Sequence, residues 1–178
     1  MAQEATLKNE IMEITLISTG GTIEKKYDEI EGTLVNKESL VQNKVLDKLR
    51  TPYSNIHLRS ILSKDSLNFT SEDRQLLLDT ILDEFNKGRK VVVLHGTDTM
   101  SLSAHYIHDH LGGSKYPLIF TGAMKPLGFV DSDAFQNVTE ALMAVTLLDP
   151  GVYISFHNKV FAVPGVEKNM EKRTFEEV

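Results

Sequence analysis

Short apolar runs alternate with stretches of helical period along this chain, and each run ends in a polar turn. Residues 11–17 run into Ser18-Thr19-Gly20-Gly21-Thr22, and residues 56–62 into Ser63-Lys64-Asp65-Ser66. Val91-Val92-Val93-Leu94 leads to His95-Gly96-Thr97-Asp98, and Leu118-Ile119-Phe120 to Thr121-Gly122-Ala123-Met124. A last core run covers residues 152–156. Runs of this length, bounded by turn residues, read as strands, and the continuous run at residues 91–94 suits a central strand covered on both faces. Between them lie apolar residues at helical spacing. The first such stretch opens at Lys37-Glu38-Ser39, carries Leu40, Val41, Val45, Leu46 and Leu49, and stops at Pro52. The second follows a capping-box pattern at Thr70-Ser71-Glu72-Asp73 and ends near Gly88. The third has Leu102, Tyr106, Ile107 and Leu111 facing inward and ends at Gly112-Gly113. The fourth, capped by Asp131 or Ser132, has Phe135, Val138, Leu142 and Val145 on one face. Strand-helix alternation predicts an α/β fold, a mostly parallel, Rossmann-like sheet with helices on both faces. His157-Asn158-Lys159 should turn into a short hairpin strand over residues 160–163, and residues 164–178 read as an exposed tail or partner-contacting arm.

At 178 residues the chain suffices for one domain, 1–178. Its net charge of −6 offers no basic stripe, so nucleic acid is not an expected partner. The absence of cysteine excludes disulfides, thiol catalysis and thiolate metal sites. Residues 1–10 are polar and mixed in charge and read as a frayed leader or a short arm rather than a secretory signal. No apolar run approaches membrane-spanning length, so no membrane association and a cytoplasmic location are expected. His105, His108 and His110 lack matched ligands, so no metal site is expected. The glycine turns match neither a dinucleotide nor a P-loop fingerprint.

In an open parallel sheet the polar turns meet at the carboxyl edge, where ligands bind. One pocket there can collect Thr22, Ser66, Thr97 and Asp98. A threonine on a glycine turn is either a nucleophile needing help to lose its proton or a ligand clamp. Thr97 can relay a proton. Asp98 can take one, hold a substrate ammonium, or merely cap the helix that follows. Ser66, beside Asp65, can hold a carboxylate, and the N–H groups by Gly21 or Gly96 an oxyanion. Such a pocket fits a small zwitterion such as an amino acid, and acyl transfer to water through a threonine. His95 reads as a structural histidine rather than a base.

Taken together, Thr19-Gly20-Gly21-Thr22-Ile23, His95-Gly96-Thr97-Asp98-Thr99-Met100 and Thr121-Gly122-Ala123-Met124-Lys125-Pro126, with Asp65-Ser66 between the first two, resemble the bacterial-type L-asparaginase family. The resemblance runs from about residue 14 to residue 156. It implies the asparaginase N-terminal-domain fold and release of ammonia from asparagine, without cofactor or metal. By position, Thr22 would be the nucleophile and Tyr27, in the polar 24–35 loop, a lid aromatic. Ser66, beside Asp65, would bind the substrate carboxylate, and Thr97 and Asp98 would supply the second hydroxyl and the ammonium or relay group. The resemblance also implies a homo-oligomer, a dimer or tetramer. Two departures stand out. The chain ends where the long form's C-terminal domain would begin. The family's lysine, paired with the Thr-Asp turn, is expected late in the helix before the last core strand; Ala144-Val145-Thr146-Leu147-Leu148-Asp149 has none, which leaves Lys125 as the nearest substitute. Two other outcomes fit the same residues: a degenerate domain that binds asparagine or aspartate without turnover, and an amidase acting on a related amide such as glutamine.

Overall fold

The structure, a computed structural model, describes residues 11–36 and 40–178. The leader at 1–10 and the helix opening at Lys37-Glu38-Ser39 lie outside the described residues. Strand β1 (Met12–Gly20) runs into a single 3-10 turn (Thr22–Glu24). An antiparallel hairpin of β2 (Lys25–Asp28) and β3 (Thr33–Asn36) follows. After the short helix α1 (Val41–Lys44) come β4 (Ser54–Lys64), α2 (Ser71–Asn86), β5 (Lys90–Leu94) and α3 (Met100–His110). Then come β6 (Pro117–Thr121), α4 (Ala134–Leu147), β7 (Gly151–Phe156) and β8 (Lys159–Ala162). A second hairpin, β9 (Val166–Asn169) and β10 (Thr174–Glu177), closes the chain.

The main sheet has the order β4-β1-β5-β6-β7-β8, parallel except for β8. Side chains alternate across a strand, and the core divides accordingly. Val91 and Val93, Leu118 and Phe120, and Ile154 and Phe156 pack with α2 and α3 on one face. Ile14 and Leu16, Val92 and Leu94, and Ile119 pack with α4 and α1 on the other. The α/β fold, with its mostly parallel sheet and a helix layer on each face, is the one expected. Helix α2 starts as its sequence predicts: the Thr70 side chain accepts from the Asp73 N–H while Asp73 accepts from the Thr70 N–H.

Four expectations need correction. Leu102 and Phe135 are 58% and 41% exposed rather than inward. The expected Ile107 and Leu111 are buried, together with Met100 and Ala104, and Leu102 lies two residues, about 200° of rotation, from Met100. In α4 the expected Val138, Leu142 and Val145 are buried, together with Ala134 and Ala141. The helix read over residues 37–49 is, where described, only α1 and a 3-10 turn (Leu46–Lys48), with Val41 and Val45 buried. Residues 164–178 are not an exposed tail. Their hairpin buries Val166 and Phe175, and the Phe175 ring meets Phe156 edge-on with centroids 5.0 Å apart.

Candidate active site

The carboxyl-edge turns lean on one another through backbone. Gly20 and Gly21 have φ of +96° and +83°, in the region that favours glycine. The Gly21 N–H donates to the Lys64 carbonyl at 2.9 Å, which joins the β1 turn to the end of β4. A methyl on Gly21 would lie 2.6 Å from the Gly96 Cα, and one on Gly96 would lie 2.5 Å from the Ser66 Oγ. Thr99 donates its hydroxyl to the Ser66 carbonyl at 2.8 Å, and Thr19 donates to the Leu94 carbonyl at 2.8 Å. The turns carrying Thr22, Ser66 and Thr97 therefore form one contiguous floor. Thr19 is a strut in it, and so is Thr99, whose tie to the Ser66 turn joins residues 33 positions apart and has no local sequence signal.

On this floor Thr22 opens the 3-10 turn, half-buried. Ser66 is 1% exposed, and its Oγ has no hydrogen-bond partner within the protein. A buried hydroxyl without a partner is uncommon and points to a ligand or water as its complement. Thr97 is buried and Asp98 exposed. Asp98 does not cap α3: the N-cap is Thr99, without a side-chain cap bond. The Asp98 carboxylate instead accepts from the Lys168 ammonium at 2.6 Å, and the same ammonium donates to the Thr97 Oγ1 at 2.9 Å.

Lys168 corrects two expectations together. The missing lysine is present, on β9 rather than on the helix before β7. Lys125 is not its substitute; it pairs with Asp131 on the surface. Lys168 sits two residues after buried Val166 on one strand, so both share a face and the lysine reaches over the sheet edge. Four-residue strands in a charged stretch carry too few alternations to show this in sequence.

Other candidates separate by contact. Gly21 cannot be the simple oxyanion donor expected, because its N–H is engaged by Lys64; its role is close approach. The Asp65 carboxylate pairs with Lys25 at 2.6 Å and accepts from the Leu67 N–H at 3.1 Å, so it serves the turn rather than standing ready for a ligand. Tyr27 lies on the β2–β3 hairpin and is 65% exposed. His95 is fully buried, donates Nδ1–H to the Gly96 carbonyl at 2.8 Å, and meets Phe69 edge-on at 4.6 Å. Burial pushes its pKa down to about 4, so it stays neutral, as suits a structural histidine. Among the described residues no cluster of histidine and carboxylate side chains has the makings of a metal site.

A strand-edge floor of glycine turns, with a threonine, a buried serine and a Thr-Asp-Lys cluster, defines a hydroxyl-based site in an α/β domain. Its sequence matches the family model for the N-terminal asparaginase domain over residues 13–176, and the chain belongs to the asparaginase family. It is 28% identical over 160 residues to the L-asparaginase of Thermococcus kodakarensis, covering 88% of this chain and 48% of the relative. The solved structure of that thermostable enzyme superposes with a TM-score of 0.80 at 25% identity, over 94% of this chain and 51% of the other. A probable cytoplasmic L-asparaginase from Campylobacter jejuni gives a TM-score of 0.72 at 27% identity, over 88% and 48%. A glutamyl-tRNA(Gln) amidotransferase component from Methanococcus vannielii is 30% identical over 166 residues, 90% of this chain and 37% of that protein. The chain thus spans about half or less of these relatives' lengths.

Proposed function

We propose that the chain is an amidohydrolase of the asparaginase type that converts L-asparagine to L-aspartate and ammonia. The observation that carries this reading is the Lys168 ammonium bonded to both Thr97 and Asp98, on the floor that also presents Thr22 and the unpartnered Ser66 hydroxyl. In this reading the Thr22 Oγ adds to the side-chain amide carbon, and its proton leaves with the departing ammonia. Water then cleaves the threonyl ester to aspartate and restores the hydroxyl. Thr97, accepting from Lys168, keeps its own proton free to donate along that path. Asp98, exposed at the rim, receives the substrate ammonium, and Ser66 the α-carboxylate. The Gly96 N–H faces the developing oxyanion, and Tyr27 with its hairpin covers the bound amino acid. No cofactor is required in this scheme. The likeness to the Campylobacter protein supports a cytoplasmic setting, and the family resemblance supports assembly of copies into a dimer or tetramer.

A second reading, the same chemistry on another amide, is favoured by the likeness to the amidotransferase component. One methylene in a pocket separates asparagine from glutamine by only about 1–3 kcal/mol. Ammonia release measured on L-asparagine, L-glutamine and D-asparagine decides between them. Preference for L-asparagine supports the first reading, and preference for glutamine the second. Tight aspartate binding with no ammonia from any amide leaves only a binding domain.

A further inference from the structure

The β2–β3 hairpin stands apart from the main sheet. Its tip is open to solvent, with Ile30 at 93% exposure, so apolar burial does little to hold it down. It reaches the floor through charge: the Lys25 ammonium lies 2.6 Å from the Asp65 carboxylate, with both side chains three-quarters or so covered. Asp65 immediately precedes Ser66 and caps the short turn that carries it. A carboxylate beside Ser66 repels a carboxylate arriving at that hydroxyl, and a cation held against it weakens that repulsion.

Resting on the assignment of Ser66 to the substrate carboxylate, we propose that Lys25 is a positioning residue that sets the substrate class. Its ammonium cancels the Asp65 charge next to Ser66, so the site accepts amino acids with a free α-carboxylate. The hydrogen bond from Lys25 also holds the Asp65 carboxyl below its usual range, which keeps Asp65 ionised at neutral pH. The pairing makes acceptance of substrate depend on the hairpin lying over the floor.

Binding of L-aspartate by calorimetry tests this without requiring turnover. The unaltered chain should bind it, and Lys25→Met should weaken binding at least tenfold. Lys25→Arg should restore most of the loss. The double variant Lys25→Met/Asp65→Asn should recover to within threefold of the unaltered chain, because the charge needing compensation is gone. With L-asparagine as substrate, Lys25→Met should raise KM at least tenfold with kcat within threefold. L-asparaginamide, which has no carboxylate, should be turned over by Lys25→Met at close to the unaltered rate. Four results would overturn the proposal: no aspartate binding by the unaltered chain, undiminished binding by Lys25→Met, no recovery in the double variant, or equal losses on asparagine and asparaginamide. Aspartate binding that obeys this pattern without any ammonia release supports the proposal while removing the amidohydrolase reading, so the two fail separately.

Discussion

At the scale of single residues the site rests on one lysine holding two side chains. Without Lys168 the Thr97 hydroxyl loses a donor and the Asp98 carboxylate its counter-ion. Lys168→Met keeps the apolar stem over the sheet edge and removes only the charge. It should cut turnover by about a hundredfold or more, the order seen for lost proton-transfer groups, with the melting temperature nearly unchanged. Asp98 offers a sharper contrast. Because Thr99 and not Asp98 occupies the N-cap of α3, Asp98→Asn and Asp98→Ala should both leave stability intact and both lose activity. A stability loss in Asp98→Ala alone, of about 0.5–2 kcal/mol, would return Asp98 to a capping role. That the turns carrying Thr22, Ser66, Thr97 and Asp98 meet at one sheet edge is legible in sequence, because each turn follows an apolar run. Lys168 is not, because nothing local in Val166-Glu167-Lys168-Asn169 says that this segment folds back 70 residues to Asp98.

At the scale of elements, the turns after β1, β4 and β5 behave as one body because glycine lets their backbones touch. Gly96 tests this without any complication from positive φ. A methyl there meets the Ser66 side chain at 2.5 Å, whereas one on Gly128 meets nothing within 4 Å. Gly96→Ala should lower stability by about 1–3 kcal/mol, the usual cost of overpacking, and lower activity further by displacing Ser66. Gly128→Ala should be silent in both urea unfolding and turnover. The elements themselves were legible to unequal degrees. The capping box at Thr70 and the β7–β8 hairpin were plain from their residues. In that hairpin His157 and Asn158 take φ of 47° and 64°, the left-handed pair that a two-residue turn requires. The inward faces of α3 and α4 are legible in part: Ile107, Val138, Leu142 and Val145 are buried as their spacing predicts, whereas Leu102 and Phe135 are exposed and Ala104, Ala134 and Ala141 complete the contact. The β9–β10 hairpin leaves no local signal in sequence, because its buried apolar anchors, Val166 and Phe175, are nine positions apart in a charged stretch.

At the scale of the whole molecule, stability should fall in two stages on acidification. His95 is neutral and buried with a pKa lowered from 6.5 to about 4. A group whose folded pKa is depressed stabilises the fold above its unfolded pKa, so this contribution drains away as pH falls from 6.5 toward 4. Glu84, 1% exposed, joins α2 to β1 and β4 by accepting from Thr15 at 2.6 Å and from Arg59 at 2.7 Å. Burial alone would raise its pKa, but the bonds from Thr15, Lys87, Arg89 and Arg59 outweigh it and carry the value down to about 2. Its contribution is complete above 4.5 and is lost between 4.5 and 2. Urea midpoints measured from about pH 7 to about pH 2 should therefore fall through both windows. Glu84→Gln should lower the midpoint at neutral pH and flatten only the lower window.

Attack of Thr22 on the amide of asparagine is the step on which the proposed function stands, and ammonia release by the purified chain beside its Thr22→Ala variant tests it. The expected result is steady ammonia production from L-asparagine by the unaltered chain, and a loss of about a thousandfold or more in a Thr22→Ala variant that unfolds at the same temperature, as for the removal of an activated nucleophile. Near-equal ammonia release by the two proteins would contradict it.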